Sequence, residues 1–288
     1  MLSHNLSTPS HFSINCKGRL LSLKKPVVMG IINITPDSFY DGGAYNSPDL
    51  ALVQAESMIN AGAAIIDIGG SSSRPGSLEI EIEEELHRVL PVIEKIHTTF
   101  PEVIISIDTY RSEVAKEAVN AGASVVNDIS SGDDDDEMFA TIAELKVPYI
   151  AMHKKGKPQT MQNSPIYEDV CVEVLDYFIK KVGLLRQLGV IDIILDPGFG
   201  FGKTTVHNYA LLKNLKTFNM LECPMLVGVS RKRMINEVLE IKAKDALNGT
   251  TVINTLALIN GAKILRVHDV KEAVEAIKLF NYYQDSEY

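Results

Sequence analysis

The sequence predicts a (β/α)8 barrel preceded by a β-hairpin. Eight short apolar runs follow one another along the chain. They are rich in Val and Ile and do not alternate with polar residues, as expected of parallel strands buried on both faces. Stretches with helical spacing lie between them, so strand–helix units repeat eight times. Nearly every run also ends in a residue that can do chemistry. In this fold the C-terminal strand ends share one mouth.

The elements follow in order. Residues 12–25 read as a hairpin with Lys17-Gly18 at its turn, placed to plug the N-terminal face of the barrel. Strand 1 is 27–33, ending at Asn33, with a long polar loop to Pro48 and a helix through Gly62. Strand 2 is 63–70, followed by the loop SSSRPGS and a helix over 79–98. Strand 3 is 103–108, with a helix over 111–121 ended by Gly122. Strand 4 is 123–129, with a helix near 134–145. The acidic run Asp133–Glu137 belongs at that helix's N-terminus, where unpaired N–H groups attract carboxylates. Strand 5 is 147–153 and its helix 168–188; strand 6 is 191–196 and its helix 205–219. Strand 7 is 224–230, with helical segments to Asn260; strand 8 is 262–268, and a last helix covers 269–281. With no internal linker or low-complexity segment, residues 1–288 read as one domain.

Bulk properties agree. The 288 residues suit one barrel, which takes roughly 250. A hydrophobic content of 45% supports a large core. No apolar run approaches the ~18 residues of a membrane span, and the N-terminus lacks the pattern of a secretory signal. Cys16, Cys171 and Cys223 have no paired spacing and read as reduced thiols of a cytoplasmic protein. A net charge of −9 without a basic tract argues against nucleic acid as a partner.

Against that acidic background, Arg74, Lys203, Arg231, Lys232, Arg266 and His268 sit at or just past strand ends. Cations gathered at one mouth point to an anionic ligand, and the region after strands 7 and 8 is the usual phosphate position of this fold. The loop DPGFGFGKT after strand 6 is glycine-rich but lacks P-loop spacing. Asp196 before it is more telling, because a carboxylate at the end of a buried strand needs a partner. A planar heterocycle with a guanidine-like edge would supply two parallel N–H donors. Asp108, Asn127 and Asp196 then form a polar floor suited to a nitrogen-rich ring. The alternatives are inter-strand hydrogen bonding for Asn127 and, for Asp108, a salt-bridged helix cap beside Thr109 and Arg111. There is no all-protein metal cage. Asn33 is a candidate contact for Mg²⁺, which often takes one protein oxygen plus phosphates and water.

Several segments together resemble the dihydropteroate synthase family. They are MGIINITPDSFYDGG (29–43), GGSSSRPG (69–76), SIDTYR (106–111), NDISSG (127–132), MHKKGKPQTMQ (152–162), DPGFGFGKT (196–204), VGVSRKRMI (227–235) and RVHDV (266–270). The resemblance is collinear from about residue 26 to 280. It implies a (β/α)8 barrel that joins 4-aminobenzoate to 6-hydroxymethyl-7,8-dihydropterin diphosphate, releasing diphosphate and forming 7,8-dihydropteroate for folate synthesis. It also implies Mg²⁺ as cofactor, with Asn33 contacting the ion, sulfonamides as competitors, and a homodimer. Pterin contacts fall on Asp108, Asn127, Met152, Asp196 and Lys232, of which Asp108, Lys232 and Asp196 are the catalytic candidates. Diphosphate contacts fall on Ser73, Arg74, Arg266 and His268. Aminobenzoate contacts fall on Phe39, Pro75, Phe201 and Ser230. One departure stands out. The family's second loop usually carries Glu and Thr where this chain has Ser71 and Ser73. Two other readings are a pterin-dependent methyltransferase and a catalytically silent pterin-binding paralogue. The first has no need of the cluster Arg74, Arg266 and His268.

Overall fold

The computed structural model describes residues 12–34, 47–71, 80–156 and 165–286. Strands β1 (Ser13–Cys16) and β2 (Arg19–Ser22) pair antiparallel. Lys17 and Gly18 between them have φ of 52° and 89°, as a two-residue turn matched to strand twist requires.

Eight parallel strands follow: β3 (Val27–Asn33), β4 (Ile65–Gly69), β5 (Ile104–Asp108), β6 (Val125–Asp128), β7 (Tyr149–Met152), β8 (Ile193–Asp196), β9 (Leu226–Val227) and β10 (Ile264–Val267). Their hydrogen-bonded order is β8-β7-β6-β5-β4-β3-β10-β9. A parallel bridge between Leu195 and Met225, with Leu195 N donating to Pro224 O at 3.0 Å, closes the ring between β8 and β9. The nine α-helices among the described residues are α1 (Ser47–Asn60), α2 (Ile82–Thr99), α3 (Ser112–Asn120), α4 (Met138–Leu145), α5 (Val170–Gln187), α6 (Thr205–Lys213), α7 (Arg233–Leu239), α8 (Leu247–Ile259) and α9 (Val270–Asp285).

Strand periodicity sorts the side chains into layers. One residue from each barrel strand builds the base: Met29, Ile65, Ile104, Val125, Ile150, Ile194, Leu226 and Ile264. Ile14, Cys16 and Leu23 from the hairpin segment pack against this layer, so the base is plugged. The alternate residues, such as Ile32, Ile66, Ile105 and Leu195, face outward into the larger core beneath the helices. Two positions further along the inward face, the layer becomes polar in five strands, with Asp67, Ser106, Asn127, Asp196 and Arg266, while Ile31, Met152 and Gly228 complete it. A lower apolar layer and an upper polar one place the chemistry at the C-terminal mouth.

Three expectations shift locally. The acidic run does not open a helix. Asp133 accepts from Tyr177 and Lys181, Asp134 pairs with Lys154, and Asp135 accepts Ser112 N at the start of α3. These bonds hold the run as a loop until Met138. The helix foreseen to residue 219 ends at Lys213, where Asn214 caps it, and continues as a 3₁₀ segment, Leu215–Leu221. Strand β9 is only two residues long. Beyond it Lys232 N turns back to Val229 O, and Arg231 adopts φ 56°.

Candidate active site at the barrel mouth

Arg266 enters the barrel from β10 and stands at the centre of the polar layer. Its Nε donates to Asp67 Oδ2 at 2.6 Å, and Nη2 donates to Asp108 Oδ2 at 2.5 Å. The same Asp67 oxygen accepts from Asn127 Nδ2 at 3.1 Å. Asp67 is wholly buried, and Asp108 is 15% exposed at its side chain. Burial pushes the Asp108 carboxyl up to about 7, while Arg266 draws it down and Asp67 adds to the rise.

Asp196 lies opposite, at the end of β8 and in register with Met152. Its Oδ1 accepts Gly198 N at 2.8 Å. Burial raises this carboxyl, opposed most by Lys232. Burial also lowers Lys232 to about 8, against the pull of Asp196. Lys232 donates to Phe199 O at 2.5 Å, and its Nζ sits 4.5 Å from the centre of the Phe201 ring. Ser230 and His268 meet across β9 and β10, with Oγ 3.1 Å from Nδ1.

The glycine-rich loop has a structural cause. A Cβ on Gly198 would lie 1.9 Å from His153 O, and one on Gly202 would lie 2.1 Å from Lys155 O. Both residues also have positive φ. The loop wraps Lys203, which is 2% exposed. Its Nζ donates to the carbonyls of His153, Gly198 and Phe201 and lies 2.8 Å from His153 Nδ1. Lys203 therefore braces the loop.

The barrel thus brings together Asp108, Asn127, Met152, Asp196, Phe201, Ser230, Lys232, Arg266 and His268. Asn33 ends β3 beside Gly69, whose Cβ position is 3.8 Å from Asn33 Oδ1 and 3.7 Å from Asp108 Oδ2. Phe39, Ser73, Arg74 and Pro75 lie outside the described residues. Arg231 is not part of the mouth's ligand face: it forks onto Asp269 and binds the carbonyls of Ala243 and Lys244. Asp108 is not a helix cap for Arg111, which instead pairs with buried Glu85.

The Mg²⁺ expectation is corrected. Among the described residues no group of three or more His, Cys, Asp or Glu side chains could hold a metal ion. The carboxylate beside Asn33 is that of Asp108, and the Arg266 guanidinium already occupies it. Asp67 is the central residue that sequence reading passed over. It stands inside an apolar run rather than at its end, although a lone Asp between Ile66 and Ile68 signals a buried charge in need of a partner.

A (β/α)8 barrel with carboxylates, an amide and two cations around one mouth defines the class as a pterin-binding enzyme. Residues 29–268 match the family model described as "Pterin binding enzyme". The chain is 48% identical over 265 residues to the dihydropteroate synthase of Escherichia coli K12, covering 91% of this chain and 93% of the relative. It superposes with TM-score 0.90 on the Xanthomonas albilineans dihydropteroate synthase solved with 4-aminobenzoic acid, at 37% identity, covering 98% of this chain and 100% of the other. The Yersinia pestis dihydropteroate synthase solved with a sulfonamide drug gives TM-score 0.90 at 40% identity, covering 96% and 100%. The chain belongs to the dihydropteroate synthase family and is a transferase. The methyltransferase and silent-paralogue readings give way to this one.

Proposed function

We propose that the mouth condenses 6-hydroxymethyl-7,8-dihydropterin diphosphate with 4-aminobenzoate to give 7,8-dihydropteroate and diphosphate. One observation carries the assignment: Asp108, Asn127, Asp196, Lys232 and Arg266 converge on a single mouth above a sealed apolar base. A donor-rich pterin edge suits Asp196 and Asn127, with Met152 between them in the same layer and Lys232 alongside. Arg266 and His268 hold the diphosphate, joined by Ser73 and Arg74. Phe201 and Ser230 receive aminobenzoate, completed by Phe39 and Pro75. Sulfonamides compete for that position.

The substitution is dissociative. The C–O bond between the pterin methylene and the diphosphate breaks, and its electron pair leaves with the diphosphate. Cations at the mouth stabilise that charge. The methylene cation delocalises into the reduced ring, and Asp108 stabilises it electrostatically. The neutral arylamine forms the C–N bond and gives up its proton to solvent. No strong base is required, so positioning and charge supply the catalysis. Incubating the chain with both substrates and following dihydropteroate and diphosphate tests this. Formation of neither overturns the assignment.

The chain acts as one cytoplasmic domain and a homodimer. Free Cys16, Cys171 and Cys223 support the reducing compartment. Among the described residues no helix is long and apolar enough to cross a membrane. An apolar groove between α8 and α9, lined by Ile259, Ala276, Leu279, Phe280 and Tyr283, supports pairing through that face.

A further inference from the structure

Asp67 is wholly buried, yet it holds two residues of the mouth, Asn127 and Arg266. It lies on β4, wholly buried, one layer above the apolar base. A carboxylate only accepts hydrogen bonds, so Asn127 must turn its NH₂ toward Asp67. The planar amide then directs its carbonyl oxygen the other way. The Arg266 Nε and Nη2 groups are taken by Asp67 and Asp108, which leaves Nη1 as the end of the fork able to meet a ligand.

We propose that Asp67 is a positioning residue that sets ligand specificity through Asn127 and Arg266. It makes Asn127 an acceptor toward the ligand, and so selects a ring edge that donates N–H. It also holds the Arg266 fork in one orientation. This rests on the pterin reading of the mouth, because the ligand whose N–H edge is selected is the pterin.

Inverting the bond tests the idea. Asn127→Asp sets a second carboxylate against Asp67 and should weaken a phosphate-free pterin at least tenfold by calorimetry. In Asp67→Asn/Asn127→Asp the new amide donates back to residue 127, which again offers an acceptor outward. The double variant should bind that pterin at least tenfold better than Asn127→Asp alone. Asp67→Ala should raise the KM for the pterin diphosphate at least tenfold. At saturating pterin diphosphate it should move the KM for aminobenzoate less than twofold. If Asp67→Ala does not fold, the inverted pair still decides. A double variant no better than the single overturns the proposal, as does an equal rise in both KM values. Failure of the wild-type chain to bind pterin would overturn both this proposal and the pterin reading. Binding by wild type without rescue would overturn this proposal alone.

Discussion

At the scale of single residues, the mouth relies on charges kept out of water. Asp196 has one oxygen on Gly198 N and the other free for a ligand edge. Asp196→Asn should cost roughly 2–4 kcal/mol in pterin binding, through one weakened and one mispaired bond. Calorimetry reads this directly, and unchanged affinity would remove Asp196 from the site. Asp108 and Lys232 should together shape the pH profile. Asp108 must be ionised to face the cation, so kcat/KM should fall as pH drops through about 7. Lys232 loses its proton above about 8, so kcat/KM should fall again there. Asp108→Asn should abolish the acid limb along with most of the rate; a surviving limb would place its origin elsewhere. The same raised carboxyl has a cost in folding. Its stabilising contribution is complete below the ordinary carboxyl range and is lost as pH rises through about 7.

At the scale of elements, the β8–α6 loop is the most exacting segment. Gly198→Ala combines a left-handed backbone with a collision against His153 O. The backbone term alone is worth about 1–3 kcal/mol, which chemical denaturation should record as a lower midpoint. The α2–α3 connection rests on buried Glu85, which accepts from Arg111 Nη1 at 2.9 Å. Glu85→Ala removes this buried bond while Arg111 keeps the Ile80 carbonyl, and should cost about 1–3 kcal/mol, read as a lower denaturation midpoint. The strand order, the hairpin and the convergence of strand ends were legible in the sequence, because parallel strands announce themselves by unbroken Val/Ile runs. Strand β3 falls on the foreseen residues 27–33. The misreadings arose where side chains outbid local propensity. The carboxylates Asp133–Asp135 serve α3, α5 and the β7 end rather than their own helix. Arg231 reads as a ligand-binding cation by position, but Asp269 claims it. Asp67 went unseen because its partners lie 60 and 199 residues away in the chain.

At the scale of the whole molecule, the α8–α9 face carries exposed apolar side chains, with Leu279 74% and Tyr283 72% exposed. If the proposed homodimer pairs through this face, Leu279→Lys should give a monomer in light scattering where the wild type gives a dimer. A monomeric wild type would remove that face from consideration.

The hairpin beneath the barrel has a kinetic consequence. With Ile14, Cys16 and Leu23 stopping the lower end, the mouth is the door left among the described residues. Asn127, Met152 and Asp196, assigned to the pterin, belong to the layer directly above the base, whereas Ser230 lies two positions beyond Gly228 of that layer and Phe201 comes from the loop beyond β8. On the proposed assignment, traffic should queue, the deep guest entering first and the shallow one standing in its way until turnover. A sulfonamide should therefore inhibit competitively against aminobenzoate and uncompetitively against the pterin diphosphate. Mixed inhibition against the pterin diphosphate would mean that the two guests pass each other at the door.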